Sequence, residues 1–289
     1  MDKVWHFVKL GFLAAALAFF FWWGWAGNFI FTPGSLFRLT SSTDRYVFSA
    51  GGKDMGYARR AVAAGAPDQG FSITEESLVR LSLPGLPQGE LRLRSESSYG
   101  PDGRLREAEF TVPGLSGALA RAQAADGFLD FSLSLGTLSR KVTLKLPGDG
   151  PVLVSGVVPW LSRQREVPLG KVLYVRVFDP VNMGFETARL TVEDDTRASE
   201  EIRVFKVTLA LPAGTTVEWL DANGRLLRQS VERFQAGLTR IPDNDAEAIA
   251  KAEDELSRAP ALPEGSRETA ELAARYFLDM SKDVFEEFK

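Results

Sequence analysis

Apolar and polar residues alternate through most of the chain between residues 46 and 240. In the clearest segment, Leu129, Phe131 and Leu133 are separated by single polar residues. Successive side chains of a strand point to opposite faces, so a period of two predicts strands with one buried face. Glycine and proline pairs interrupt the alternation at short intervals, which favours antiparallel hairpins over parallel strands joined by helices. The pattern therefore predicts a mainly β fold, an antiparallel curved sheet or half-barrel.

Two turns share an Asx-Gly-Arg-Leu sequence, at residues 102–105 and 223–226. Asx-Gly pairs tolerate positive φ and suit tight hairpins. Upstream of each turn, Tyr46 and Tyr174 both lie nine residues before a Met-Gly pair. The same elements in the same order predict a duplicated strand unit. The predicted repeats are residues 46–112 and 174–231.

Three segments have helical composition. Residues 116–125 allow a short helix within the β region, and residues 243–258 form a longer alanine-rich segment. Ser266 is a suitable cap for a further helix that runs to about Phe288. The last of these carries an amphipathic stripe, for which docking against the β body and binding of a partner are the two interpretations. The stripe consists of Leu272, Tyr276, Phe277, Met280, Val284 and Phe288.

An uncharged segment of 28 residues occupies positions 10–37. About 20 apolar residues cross a hydrocarbon core of about 30 Å, so residues 10–31 are predicted to form a transmembrane anchor. Four of the six tryptophans lie in the first 25 residues and flank this segment, as expected of belts at the two membrane interfaces. A cleaved signal peptide with its exit near residues 24–26 is the alternative.

The charges around the span predict its orientation. Lys3 and Lys9 precede the span, and basic residues favour the cytoplasmic side. We therefore expect a single-pass protein of the bacterial inner membrane with residues 1–9 in the cytoplasm and the bulk of the chain in the periplasm. A linker at 32–45, a β-rich domain at 46–240 and an acidic helical region at 241–289 complete the predicted order.

The composition excludes several kinds of chemistry. The chain has no cysteine, and its single histidine is His6, beside the predicted span. The predicted β domain therefore lacks the commonest general base, the commonest metal ligand and any thiol nucleophile. A net charge of −4 gives no electrostatic reason to expect a nucleic-acid partner. We expect no cofactor and no metal, and the remaining enzymatic alternative is a carboxylate-dependent hydrolase that uses Glu193, Asp194 and Asp195.

The segment 217–228, with its strand and Asx-Gly turn, resembles the closing hairpin of uncharacterised bacterial envelope domains. The strand at 171–180 and the pair Met183-Gly184 are similar in style, and the resemblance covers roughly residues 46–240. The group includes domains that accompany transglutaminase-like proteins and domains with lipoprotein-carrier-like curved sheets. The resemblance implies a curved antiparallel sheet that cradles an apolar chain or docks a protein.

These observations predict a non-enzymatic, membrane-anchored periplasmic protein. Its β body is expected to bind an apolar, lipid-like ligand or an envelope partner. A structural scaffold that uses the amphipathic C-terminal helix is the first alternative, and the hydrolase is the second. The residues predicted to line the ligand site are Leu129, Phe131, Leu133, Val175, Val177 and Trp219.

Overall fold

The structure, a computed structural model, describes residues 40–64, 70–81, 89–112, 119–135, 138–146, 169–179, 184–196, 202–212, 214–232 and 235–258. Within these ranges no helix has both the length and the hydropathy of a membrane span. The predicted anchor at 10–31 and the amphipathic stripe at 272–288 lie outside the described residues.

The described chain forms fourteen strands and one helix. They are β1 (Ser42–Ala50), β2 (Lys53–Ala64), β3 (Phe71–Leu81), β4 (Gly89–Tyr99), β5 (Leu105–Thr111), β6 (Leu119–Ala125), β7 (Phe128–Leu135), β8 (Leu138–Lys145), β9 (Val172–Asp179), β10 (Gly184–Asp194), β11 (Val204–Leu211), β12 (Gly214–Asp221), β13 (Leu226–Val231), β14 (Ala236–Arg240) and α1 (Ala246–Ser257).

All fourteen strands belong to one antiparallel sheet, as the alternation predicted. The order is β8-β7-β6-β5-β4-β3-β2-β1-β14-β13-β12-β11-β10-β9. Every neighbouring pair of strands is consecutive in the chain except β1 and β14, the first and last strands, which pair with each other. Strands β8 and β9 are the two edges, and no backbone pairing joins them in the described part of the chain. The sheet is therefore not closed by hydrogen bonds.

The sheet nevertheless curls until its two ends meet. Strands β7 and β9 are second and last in the order, so twelve spacings of about 4.8 Å would hold them about 58 Å apart in a flat sheet. Instead, the ring centroids of Phe131 on β7 and Phe178 on β9 are 5.1 Å apart. The inward-facing side chains form a continuous apolar cluster with members on strands from both ends.

Strand β6 corrects one prediction, because residues 116–125 do not form a helix where the structure describes them. Ala120 and Ala122 are fully buried, and they pair with Leu133 and Phe131 of β7. Alanine has the highest intrinsic helix propensity, which made the segment resemble a helix. Pairing on both sides and burial of the small side chains override that preference.

The two Asx-Gly turns form hairpins with the same hydrogen bonds. The Gly103 amide donates to the Gly100 carbonyl, and the Gly224 amide donates to the Asp221 carbonyl, both at 2.9 Å. Both central glycines have positive φ, +76° and +72°, which completes a type I turn with a left-handed bulge residue.

The tyrosines of the predicted repeats occupy different environments. Tyr46 is buried and pairs with Ala58, whereas Tyr174 is 71% exposed and pairs with Arg189. The downstream hairpins therefore match in structure and the upstream tyrosines do not, so duplication stays a prediction.

Helix α1 covers the outer face of β1 to β3. Asp245 caps it by accepting a hydrogen bond from the Ala248 amide at 3.0 Å. Ala252 and Leu256 are buried against the sheet, and Glu253 forms ion pairs of 2.6 and 3.1 Å with Arg45 and Arg59. The helix predicted at 243–258 is thus confirmed. It packs on the outer face of the sheet and does not contribute to the inner face.

Candidate functional site

The line where the two ends of the sheet meet, between β7 and β9, is called the seam below. Phe131 and Phe178 contact each other across it, and Phe185 of β10 packs edge-on against Phe178 with centroids 5.8 Å apart. Aromatic pairs of this geometry contribute about 0.5–1.5 kcal/mol each beyond the area that they bury. In the described residues, side-chain contacts hold the seam and no backbone ladder crosses it.

Five of the six predicted ligand-lining residues lie on the two strands that form the seam. Leu129, Phe131 and Leu133 are on β7, and Val175 and Val177 are on β9. All five are at least 93% buried and belong to the continuous apolar cluster. These five residues share one apolar cluster although the two strands are more than 40 positions apart in sequence, and their role in binding stays a prediction.

Trp219 lies elsewhere, outside the apolar cluster. Its indole Nε1 donates to Asp195 at 2.9 Å, and the guanidinium of Arg228 lies 5.0 Å from its ring centroid. The structure therefore places Trp219 in a polar environment away from the five seam residues.

The acids proposed for a hydrolase are each engaged by a local partner. Asp194 accepts hydrogen bonds from Arg203 and Thr196, and these bonds lower the pKa of its carboxyl. Glu193 lies 3.4 Å from the ammonium of Lys206, and Asp195 accepts the indole hydrogen bond. These pairings are those of a solvated hairpin end.

The inner face carries a second set of residues that the sequence did not single out. Paired residues of adjacent antiparallel strands share a face, and one row runs through Arg60, Glu75 and Ser95 to Phe110 of the core. A second row runs through Gln229 and Glu218 to the buried Val207. We call Tyr46, Arg60, Glu75, Ser95, Glu218 and Gln229 the inner polar cluster.

The inner polar cluster contains one cation and two carboxyl groups. Arg60 Nε lies 3.4 Å from Glu75, which also interacts with the hydroxyl of Ser95. Gln229 Nε2 donates to Glu218 Oε1 at 2.5 Å. Glu218 and Gln229 are each 1% exposed, and the side chains of Arg60 and Glu75 are 5% and 12% exposed. A buried ion pair of this kind is weak evidence for stability alone, because desolvation offsets the attraction.

Burial shifts the acidity of the two carboxyl groups. It raises the pKa of Glu75 to about 7, against the opposing effects of Arg60 and Ser95. It also raises the pKa of Glu218 well above its ordinary value, although Arg60 and Gln229 oppose the shift. The shift favours the protonated form of Glu218, and a protonated carboxyl both donates and accepts hydrogen bonds.

Several buried atoms in and beside the cluster have no hydrogen-bond partner among the residues that the structure describes. A buried polar group without a partner costs about 1–3 kcal/mol, so such a concentration needs an explanation. The atoms are Tyr46 Oη, Ser97 Oγ, Thr216 Oγ1, Glu218 Oε2 and Gln229 Oε1.

An ion-pair group next to the cluster joins β1, β14 and the turn between β12 and β13. Asp44 Oδ1 accepts hydrogen bonds from Arg225 at 2.6 Å and from Arg240 at 2.7 Å, and the exposed Asp243 pairs with both arginines. A cavity of about 10 Å³, the size of one water molecule, is lined by Asp44, Arg225, Tyr46 and Arg60. This cavity joins the ion-pair group to the inner polar cluster.

A larger groove of about 400 Å³ lies between the β4–β5 and β6–β7 hairpins. Its charged residues include Arg104, Arg106, Asp102 and Asp126, so both signs are present. The groove contains no member of the inner polar cluster and none of the five seam residues.

The sequence contains a signal for the inner polar cluster, namely charged residues at positions where the alternation calls for apolar ones. Glu75 has the same parity as Phe71, Ile73 and Val79, and Arg60 has the same parity as Ala58. A charged residue in the apolar phase of a strand is expected to point inward.

These features define a class of protein: one curled antiparallel sheet, held at its seam by side chains, with a polar cluster inside an apolar core. No family model and no curated protein matches the chain. Among solved structures it is similar to the crystal structure of a beta-barrel-like protein of the domain of unknown function DUF1849 from Brucella abortus. The identity is 14% and the TM-score 0.52, over 71% of this chain and 97% of that chain. At this identity the likeness shows the fold alone.

This likeness supports the coarser part of the resemblance noted in the sequence, to an uncharacterised bacterial β-domain. It gives no link to transglutaminase-associated domains or to lipoprotein carriers.

Proposed function

We propose that the chain is a non-enzymatic envelope protein that binds an acyl chain inside its curled sheet, with the seam as the route of entry. Residues 10–31 anchor it in the inner membrane, and the β body lies in the periplasm. The anchor and the location rest on the apolar segment, its tryptophan belts and its basic flank.

The observation that carries the binding function is the construction of the seam. Opening any other strand boundary breaks a ladder of backbone hydrogen bonds, whereas opening the seam separates apolar side chains. An acyl chain that enters there replaces one set of apolar contacts by another, so little of the opening cost remains in the complex. On the neighbouring strand β6, the residues paired with Leu133 and Phe131 are alanines, whose side chains are small.

The proposal that the protein is not an enzyme rests on the residue types that it contains. Beyond His6 the chain has no histidine and no cysteine, and the acids at 193–195 are engaged by neighbouring side chains. The two carboxyl groups inside the sheet are enclosed by core residues, which suits recognition better than turnover of a water-borne substrate.

Photo-crosslinking of the full chain, held in an amphipathic polymer, tests the site. The probe is a decanoyl chain with a diazirine at its end, and the labelled residues are located by peptide mass spectrometry. We expect labels on β7 and β9. Val177→Phe fills the proposed site and should lower labelling at least fivefold, whereas the matched Val231→Phe on β13, four strands from the seam, should leave it unchanged.

A crosslink across the seam tests the route. The chain has no native cysteine, so a short bis-maleimide reacts only with the introduced pair Phe131→Cys and Phe178→Cys. The bridged protein should lose labelling, while the same variant without the crosslinker should keep it. Labelling confined to the groove at residues 100–127, or undiminished after bridging, would refute entry at the seam.

A further inference from the structure

The inner polar cluster has more hydrogen-bonding capacity than the protein uses. Tyr46, Glu218 and Gln229, and Thr216 beside them on β12, are each 1% exposed, and each has an oxygen without a hydrogen-bond partner in the described ranges. Folded proteins rarely leave so many buried polar atoms unsatisfied in one place. Such atoms are expected where a bound molecule supplies the missing partners.

Most of the unused atoms belong to uncharged groups. They are two hydroxyl oxygens, an amide oxygen and one oxygen of the Glu218 carboxyl, whose pKa burial raises well above its ordinary value. The cation of the cluster, Arg60, is already paired with Glu75 at 3.4 Å. A matching ligand group therefore both donates and accepts hydrogen bonds and carries no net charge.

The cluster is continuous with the proposed acyl site. Tyr46 belongs to the same apolar cluster as Phe131 and Val177, so buried apolar side chains connect the seam to the polar atoms. An ammonium or a carboxylate placed there would add a buried charge without a free counter-ion, which disfavours charged head groups.

We infer that the inner polar cluster binds the neutral, hydroxyl-bearing head group of an acyl ester, of the monoacylglycerol class. This inference rests on the proposed function, because the acyl chain must occupy the seam. Glu218, Gln229 and Tyr46 hold the hydroxyl and carbonyl oxygens of the head group. Arg60 and Glu75 position Glu218 through their charges and need not touch the ligand.

The experiment compares four diazirine probes with the same ten-carbon chain on the full-length protein. Their ends are glycerol ester, carboxylate, trimethylammonium and plain alkane, and the apparent Kd comes from labelling against concentration. We expect the glycerol ester to bind at least tenfold more tightly than the other three. Glu218→Gln preserves a neutral hydrogen-bonding group and should retain this preference within about threefold.

Glu218→Leu removes the hydrogen bonds without leaving a buried charge, so it should fold and lose the tenfold preference while alkane binding stays constant. Glu193→Leu, at an exposed carboxylate on β10, is the matched control and should change nothing. Equal binding of all four probes, or a preference that survives Glu218→Leu, would overturn the head-group site and leave acyl binding intact. Failure of all four probes to label β7 and β9 would overturn the proposed function and this inference with it.

Discussion

Asp44 is the residue at which the ion-pair group is most directly tested. Its carboxylate is 3% exposed and accepts hydrogen bonds from two arginines through one oxygen, at 2.6 and 2.7 Å. Asp44→Asn keeps the size of the side chain and removes its charge. Arg225 and Arg240 then lose their shared buried counter-ion and retain only Asp243, which is 69% exposed.

The expected loss follows from the geometry of the group. Removing one partner of a fully buried ion pair costs about 3–5 kcal/mol. The arginines are 26% and 14% exposed and keep a second carboxylate, so the cost here should be nearer to about 3 kcal/mol. In a domain of this size that lowers Tm by about 6–12 °C. Asp243→Asn, at the exposed partner, should cost less than about 1 kcal/mol.

The measurement is urea unfolding of the full chain, followed by circular dichroism between pH 7 and pH 2.5. Burial raises the pKa of Asp44, but the hydrogen bonds and charges of Arg225 and Arg240 outweigh burial and hold it below the ordinary value of 3.8. A carboxyl with a lowered pKa stabilises the fold above its unfolded value, and this contribution disappears as the pH falls through the folded pKa. The difference between wild type and Asp44→Asn should therefore be constant above about pH 5 and shrink below about pH 3.8.

Two results would refute this reasoning. A difference below 1 kcal/mol at pH 7 would show that Asp243 and solvent replace the lost carboxylate. A difference that persists unchanged to pH 2.5 would show that the amide acts through packing and not through charge.

Two further predictions concern the inner face and its strands. Glu75→Gln should flatten the pH dependence of stability. The pKa of Glu75 is about 7 in the folded protein against an ordinary 4.5, so the unfolding free energy of the wild type should fall by up to about 3 kcal/mol as the pH rises through that interval. Urea titrations at pH 4.5 and 7.5 compare the two proteins. Gly56→Ala would place a Cβ 1.9 Å from the Leu78 carbonyl oxygen and should lower the unfolding free energy by about 2–4 kcal/mol in the same titration. Gly127→Ala, in open space with φ +81°, should lower it by only about 1–2 kcal/mol. Equal costs would contradict the argument that the steric contact with Leu78 sets the difference.

The strand class and the hairpins were accessible from local sequence because both depend on near neighbours. Alternation at Leu129 and Phe131 predicted an inward and an outward face, and the turns around Gly103 and Gly224 predicted hairpins that the structure contains. The short helix at 116–125 was wrong because alanine favours a helix in isolation, and the pairing with β7 that overrides it is a tertiary interaction.

The candidate site was likewise predictable from local sequence only in part. The apolar residues of β7 and β9 were recognisable as buried, but their meeting at a seam depends on the accumulated curl of fourteen strands. Trp219 was grouped with them by hydrophobicity, yet its indole pairs with Asp195. Arg60, Glu75 and Glu218 were passed over because charged residues on a strand are usually solvated.

By itself, the sequence determined the period-two pattern, the turns, the helix after Arg240 and the absence of cysteine and of histidine beyond His6, because each is a property of residues close together in the chain or of composition. The tertiary structure alone decided that the two ends of the sheet meet, that Glu218 and Arg60 share one interior and that Asp44 pairs with Arg225 and Arg240. These contacts join residues separated by as many as 196 positions. They arise from the summed twist and register of the whole sheet, which no local pattern encodes.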